Sequence, residues 1–295
     1  MGVELRSASP RAQELFGLAD QITGLPITRL SASGPLEELT ATEVAQPAVV
    51  VHSLAALAYL RAHAELEVVA VAGHSVGELA ACVAAGALDD ESALHLVHAR
   101  AQSMALACAQ ANGTMAAVLG LDEESLQEAC QEASTAAESV QVANLNAPGQ
   151  LVISGHRQAI ERASALAKTA GARRVLPLNV GGPFHSVYMR PAADEYQKAL
   201  DLAPFSTAIV PLVANVNAEP ISSAGDVSQE LHDHLYSPVR WTDTLRRMAE
   251  LGCDRFLEIG PGQVQAGLVK RTLPEARVVS FGAPAQLEAA LALLG

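Results

Sequence analysis

Gly73-His74-Ser75-Val76-Gly77 places a serine between two glycines, just after the apolar run Val68–Ala72 and just before the helix-compatible residues Glu78–Ala85. Strand, G-x-S-x-G, helix is the context of a nucleophile elbow, which presents a serine hydroxyl at a helix N-terminus. Glycines suit it because strand and helix backbones nearly touch at the turn. Unpaired N–H groups and the positive end of the helix dipole could then stabilise an oxyanion. The same five residues also fit a Gly-rich turn with an N-capping serine. Two further side chains bear on the choice. His185 follows Gly181-Gly182-Pro183-Phe184 at the mouth of a helix, and imidazole suits general-base work near neutrality. An isolated histidine in that place more often faces solvent. Arg100 sits inside the helical pattern Leu94, Val97, Ala101, Met104, Cys108. It either extends outward, the commoner arrangement, or is buried as a clamp for an anion.

The elements that must position these residues follow from periodicity and turn chemistry. Val68–Ala72 reads as a buried strand, and Asp89–Ala111 as a long helix. Pro47, after Thr40–Gln46, reads as the first turn of a buried helix running to Leu60, too short to cross a bilayer. Thr114–Leu121, Asp122–Glu132, Val140–Asn144, Gln150–Ser154, Gly155–Thr169 and Arg173–Leu178 read in the order β-α-β-β-α-β, the split arrangement of a ferredoxin-like unit. The rhythm before and after this stretch belongs to a larger α/β unit. Residues 114–179 are therefore expected as a small subdomain inserted into a large domain made of 1–113 and 180–295. Within the latter, Ile209–Asn215, Arg255–Ile259 and Val278–Phe281 read as strands, and Gly260-Pro261-Gly262 as a tight turn. Leu30–Leu39 reads as polar turns. Met1–Leu18 reads as helical, with no strand before it.

Bulk properties narrow the partners. The 295 residues are half apolar, with a formal charge of −13, which argues against nucleic acid or an anionic membrane surface as ligand. Cys82, Cys108, Cys130 and Cys253 are widely spaced without C-x-x-C, favouring free thiols in a reducing compartment. The histidines form no ligand-spaced cluster, so neither a metal nor an organic cofactor is expected. The first twenty residues carry charges and no continuous apolar core, so no signal peptide is read and a soluble, cytoplasmic protein is expected.

Seven stretches together carry a family resemblance: GHSVGE at 73–78, Arg100 with Met104, ANLNAPGQLVISG at 143–155, GPFHS at 182–186, NVNA at 215–218, SPVRW at 237–241 and EIGPGQVQAGLVKR at 258–271. In order and spacing they resemble the malonyl-CoA:acyl-carrier-protein transacylases of fatty acid synthesis and the related acyltransferase domains of polyketide synthases. The resemblance implies a hydrolase-like α/β core carrying a ferredoxin-like insert. It implies that Ser75 takes up the malonyl group as an ester and that His185 moves the protons. It implies that Arg100 pairs with the free malonyl carboxylate, and that Val76 offers an N–H to the oxyanion. His234, where the family often has Gln, would orient His185 through its backbone carbonyl, so its side-chain change should be tolerable. His74, Phe184 and Met104 fall at substrate-binding positions, and Phe184 matches the malonyl-selective form. Asn144 and Asn146 match positions near the cleft, or serve the turn.

Malonyl-CoA and an acyl carrier protein are the partners implied; both are anionic, so a basic rim is needed, with Arg157, Arg173, Arg174, Lys270 and Arg271 as candidates. The family opens with a strand and a Gly-Gln-Gly-Ser-Gln-type loop whose Gln supplies a second oxyanion N–H. Met1-Gly2 aligns with the end of that segment, giving the expectation of a start placed too late or a truncated chain, or else of a protein that lacks this strand. Other readings stay open: a freestanding polyketide acyltransferase, a serine esterase or thioesterase with no use for Arg100, or an inactive carrier-binding module.

Overall fold

The structure is a computed structural model describing residues 1–295, and it is a mixed α/β fold. The chain opens with helices Val3–Ala8 and Pro10–Thr23, the second capped by the Ser9 hydroxyl on the Ala12 N–H. The stretch read as polar turns folds instead into two short helices: Ile27–Ser33, where Ile27 and Leu30 are buried, and Leu36–Thr40, which buries no residue.

At the centre lies helix Thr42–Arg61, apolar all round and buried on every face. It begins five residues earlier than the sequence suggested, leaving Pro47 inside the helix, where the Glu43 carbonyl loses its donor. At 20 residues it is long and apolar enough to cross a bilayer, yet 72% of its apolar window is buried inside the protein. Helix Asp90–Gln110, capped by Asp89, packs along it, and helix Arg190–Leu200 packs in turn against Asp90–Gln110. These helices and Gly77–Ala84 enclose the largest apolar cluster.

The ladder of the large unit is sparse. In chain order the strands are β1 Gly113–Leu119, β2 Val140–Ala147, β3 Gln150–His156, β4 Arg174–Pro177, β5 Leu212–Val213, β6 Pro220–Ile221, β7 Arg255–Ile259 and β8 Arg277–Phe281. β7 and β8 pair in parallel, and β5 pairs only with β6. Val68–Ala72 does not form the expected strand. It makes a single parallel bridge, Val71 to Leu212, and leaves Val68 and Val69 exposed, because a segment with a partner on one side only cannot bury both faces.

β1 to β4 form a four-stranded antiparallel sheet in the order β2-β3-β1-β4. Helices Glu123–Ala133 and Arg157–Thr169 cover it, and a separate apolar cluster, drawn wholly from 116–167, lies between. β2 also leaves its own sheet: Leu145 N–H donates to the Val239 carbonyl and Val239 N–H to Ala143. This pairing brings Gln141, Asn144 and Asn146 to the face of the large unit.

Candidate active site

Ser75 stands between the Val71 bridge and helix Gly77–Ala84 with φ of 52°, the left-handed region, and His185 has φ of 55°. For a residue bearing a Cβ this conformation costs about 1–2 kcal/mol, so both need support from their surroundings. Gly73 is required by the turn: a Cβ there would meet the Gly77 carbonyl at 2.2 Å. Gly77 has no such constraint, since a Cβ there would meet nothing within 4 Å, so only one glycine of the motif answers to close packing. Asn215 fastens the turn. Its Oδ1 accepts the Ser75 backbone N–H at 2.9 Å, and its Nδ2 donates to the Gly73 carbonyl and to Glu78 Oε1, each at 2.8 Å. The Val76 N–H, by contrast, has no protein acceptor.

His185 Nε2 lies 2.8 Å from Ser75 Oγ, and Nδ1 lies 2.8 Å from the His234 backbone carbonyl. A carbonyl can only accept, so Nδ1 carries the hydrogen and the Nε2 lone pair faces the serine hydroxyl. His185 is 4% exposed, not solvent-facing, because the Gly182-Pro183 turn folds it inward: a Cβ on Gly182 would collide with Cys108. Desolvation, with His234 and Arg100 nearby, pushes its pKa well below 6.5 and keeps the ring neutral near neutral pH. Gln141 from β2 ties the same loop: its Nε2 donates to the His185 and Tyr236 carbonyls, and its Oε1 accepts from Val187 N–H.

Arg100 is 1% exposed, contrary to the surface placement that its position in the helix pattern alone favours. One Nη donates to Gln46 Oε1, the other to Ser75 Oγ at 3.2 Å. Nε and that second Nη face His234 Nε2 at 3.3 and 3.0 Å. Every direct partner is neutral. His234, which accepts on Nε2, must carry its hydrogen on Nδ1 and gives it to Glu78 Oε2. Its side chain is therefore fully engaged rather than idle, a role that the change from Gln alone did not disclose. Behind it, Glu230 lies beside Glu78, and its Oε1 accepts from the Asn215 and Val216 N–H groups, at 2.7 and 3.0 Å. Burial pushes the two acids up to about 8 and about 9, and the neighbouring Glu78 adds to the rise at Glu230. Glu78, Glu230 and His234 lie close enough to suggest a metal site, but each is already spent on a hydrogen bond to protein.

The remaining candidates lie around this centre. His74 Nε2 is 2.8 Å from Asn146 Oδ1, its ring set edgewise against Trp241. Met104 is buried, and its sulfur accepts from Gln46 Nε2 at 3.5 Å. Phe184 packs between the main core and a small cluster of Met115, Ala143 and Val152. Arg173, Arg174 and Arg271 line one cavity of about 400 Å³, and Arg157 lines another with Lys168. No role was read from the sequence for Gln46, Glu78, Gln141, Asn215 or Glu230. Glu78 and Asn215 gave a signal by falling inside the quoted GHSVGE and NVNA stretches, and Glu78 also as an acid one helical turn before the buried Cys82. All four cysteines are free.

A family model described as the acyl transferase domain matches residues 1–287. The malonyl CoA-acyl carrier protein transacylase of Bacillus subtilis is 40% identical over 294 residues, covering 100% of this chain and 92% of the relative. The crystal structure of an acyl carrier protein S-malonyltransferase from Vibrio cholerae superposes with a TM-score of 0.94 at 36% identity, covering 98% of this chain and 94% of that one. A malonyl-transacylase solved with a type II polyketide acyl carrier protein gives a TM-score of 0.94 at 37% identity, covering 99% and 94%. The chain spans 92–94% of the length of these relatives.

Proposed function

This chain belongs to the acyl transferase domain family, and we propose that it transfers a malonyl group from malonyl-CoA to the phosphopantetheine thiol of an acyl carrier protein through an ester on Ser75. The observation that carries the reading is Arg100. A guanidinium 1% exposed, with only neutral direct partners and 3.2 Å from the serine oxygen, is an unfilled site for a carboxylate held next to a reacting acyl carbon. An esterase that merely needs Ser75 and His185 has no use for it. An acetyl group would leave the cation unpaired, which selects against it.

The steps follow from the hydrogen bonds. Ser75 gives its proton to His185 Nε2 as Oγ attacks the thioester carbonyl, and the His234 carbonyl steadies the imidazolium through Nδ1–H. The free Val76 N–H receives the oxyanion. As the intermediate collapses, His185 returns the proton to the departing CoA sulfur. The carrier thiol then repeats the sequence in reverse, giving its proton to His185 and restoring the serine hydroxyl. His74, Phe184 and Met104 shape the substrate cavity, with Met104 acting through Gln46.

We read the four-stranded unit, 114–179, as a ferredoxin-like insert in a hydrolase-like α/β core formed by 1–113 and 180–295. Arg157, Arg173, Arg174, Lys270 and Arg271 form the basic rim for the anionic partners. The role is one in fatty acid biosynthesis, in the cytoplasm; the likeness to a polyketide-type transacylase makes supply of a polyketide carrier the second reading. Intact mass after incubation with malonyl-CoA tests the chemistry. A malonyl adduct is expected on the wild type and not on Ser75→Ala, and an adduct that persists in the variant removes the centre of the mechanism. Rates with a fatty acid carrier and a polyketide carrier then separate the two pathways.

A further inference from the structure

The geometry points to the His234 side chain, backed by Glu78, as the positioning residue that aims Arg100 at the acyl group and so sets malonyl selectivity, separately from the His234 carbonyl that orients His185. This rests on the transacylase reading above. Two atoms sets of one residue face the two halves of the chemistry: the carbonyl oxygen is 2.8 Å from His185 Nδ1, while Nε2 is 3.0 and 3.3 Å from two nitrogens of Arg100.

A guanidinium has five N–H donors in one plane, and its aim is set by where its fixed partners sit. Gln46 takes one Nη, and His234 takes the Nε edge together with the second Nη. That second Nη is the one that also reaches Ser75 Oγ at 3.2 Å. Without an acceptor at His234 the guanidinium would be free to turn about its Gln46 bond, and the donor nearest the serine would lose its bearing. Glu78 fixes the acceptor in turn. By taking the Nδ1 hydrogen it leaves the lone pair on Nε2, the only tautomer that can face a cation. His234 and Glu78 are both fully buried, so no water competes for either bond.

A glutamine in this place offers the same two functions, an acceptor oxygen toward Arg100 and a donor NH₂ toward Glu78. Leucine offers neither and leaves the backbone carbonyl in place. The experiment therefore compares His234→Leu, His234→Asn and His234→Gln by the rate of Ser75 acylation from malonyl-CoA and from acetyl-CoA, read by intact mass. His234→Leu is expected to lower malonylation about 10- to 100-fold, the loss of one hydrogen bond to a charged group. Acetylation should fall less than malonylation, because that substrate does not use the guanidinium, so the malonyl-to-acetyl ratio drops. His234→Asn, too short to reach Arg100, should lose the same selectivity if the leucine variant does not fold. His234→Gln should restore it.

In an Arg100→Ala background, His234→Leu should leave the malonyl-to-acetyl ratio unchanged, since the route through Arg100 has gone. An unchanged ratio in the single variants, an equal fall for both substrates, or a glutamine variant as poor as leucine would each overturn the assignment. A crystal structure of His234→Leu reads the aim directly. A guanidinium still directed at Ser75 would also defeat it, whatever the substrate proves to be. Absence of any malonyl ester on the wild type would instead defeat the transacylase reading.

Discussion

The Asn215 amide holds the Ser75 backbone N–H at 2.9 Å across 140 residues of sequence, while its own hydrogens bind Gly73 and Glu78. One fully buried side chain thus fixes both sides of the serine turn and the acid behind the Arg100 network. Asn215→Leu should lower the unfolding free energy by about 1–3 kcal/mol for each buried group left unpaired. It should also reduce kcat at least tenfold, on the order of the loss expected when a strained nucleophile turn relaxes. Asn215→Asp should be worse than leucine, since it cannot donate and adds a third acid beside Glu78 and Glu230. Thermal unfolding and steady-state rates check both; wild-type values for the leucine variant would show that the turn holds itself.

The two glycines of the serine motif should respond in opposite ways. Gly73→Ala drives a methyl into the Gly77 carbonyl and should destabilise the fold by about 3 kcal/mol or more. Gly77→Ala meets open space in a helical conformation and should be neutral or stabilising by up to about 1 kcal/mol. Denaturant midpoints for the pair decide the matter, and equal losses would contradict the packing described.

Truncating Arg100 should split the substrates. For Arg100→Ala, kcat/KM with malonyl-CoA should fall about a hundredfold or more, as for other buried charge pairs deprived of one partner. Transfer of acetyl should hold or improve, because no cation is left unpaired beside the neutral group. Parallel rates with the two thioesters provide the test, and a uniform decline would assign Arg100 to packing alone.

The pH profile should reflect a depressed histidine. Desolvation keeps His185 neutral well below its ordinary 6.5, so the acid limb of kcat/KM should fall well below that value. A limb centred at or above 6.5 would mean that the free enzyme exposes the ring to water.

Stability should carry the opposite signature from the acid pair. Glu230 is raised from 4.5 to about 9, so between these values the folded chain holds a proton that the unfolded chain has released. Stability is then present at low pH and is lost as pH rises toward 9. Glu230→Gln can keep the acceptor for Asn215 and Val216 without titrating. Its melting temperature should therefore gain on the wild type steadily from pH 5 to 9, over about that window. A constant difference would place the proton elsewhere.

Much of this was legible in the sequence, and the division has physical reasons. The 114–179 stretch reads correctly strand by strand because its alternation and turns are local: β2 to β4 and their two helices fall within a few residues of the expected bounds. Val68–Ala72 reads as a strand by composition, yet a ladder needs partners, and only Leu212 is there. Ser75 and His185 announce themselves through glycine-rich turns. Arg100 does not, since a single arginine in an apolar helix has the same pattern whether it faces solvent or a cavity. Gln46 and Glu230 leave no trace, because their roles come from contacts made 54 residues away with Arg100 and 15 away with Asn215.

Gln141 extends from a sheet with its own apolar core to two neighbouring backbone carbonyls, those of His185 and Tyr236. Any shift of that sheet would consequently be felt at the backbone that carries the imidazole. A carrier protein pressing on the outer strands would have, in this one amide, a mechanical line to the proton-transfer group, so that docking and turnover need not be independent events.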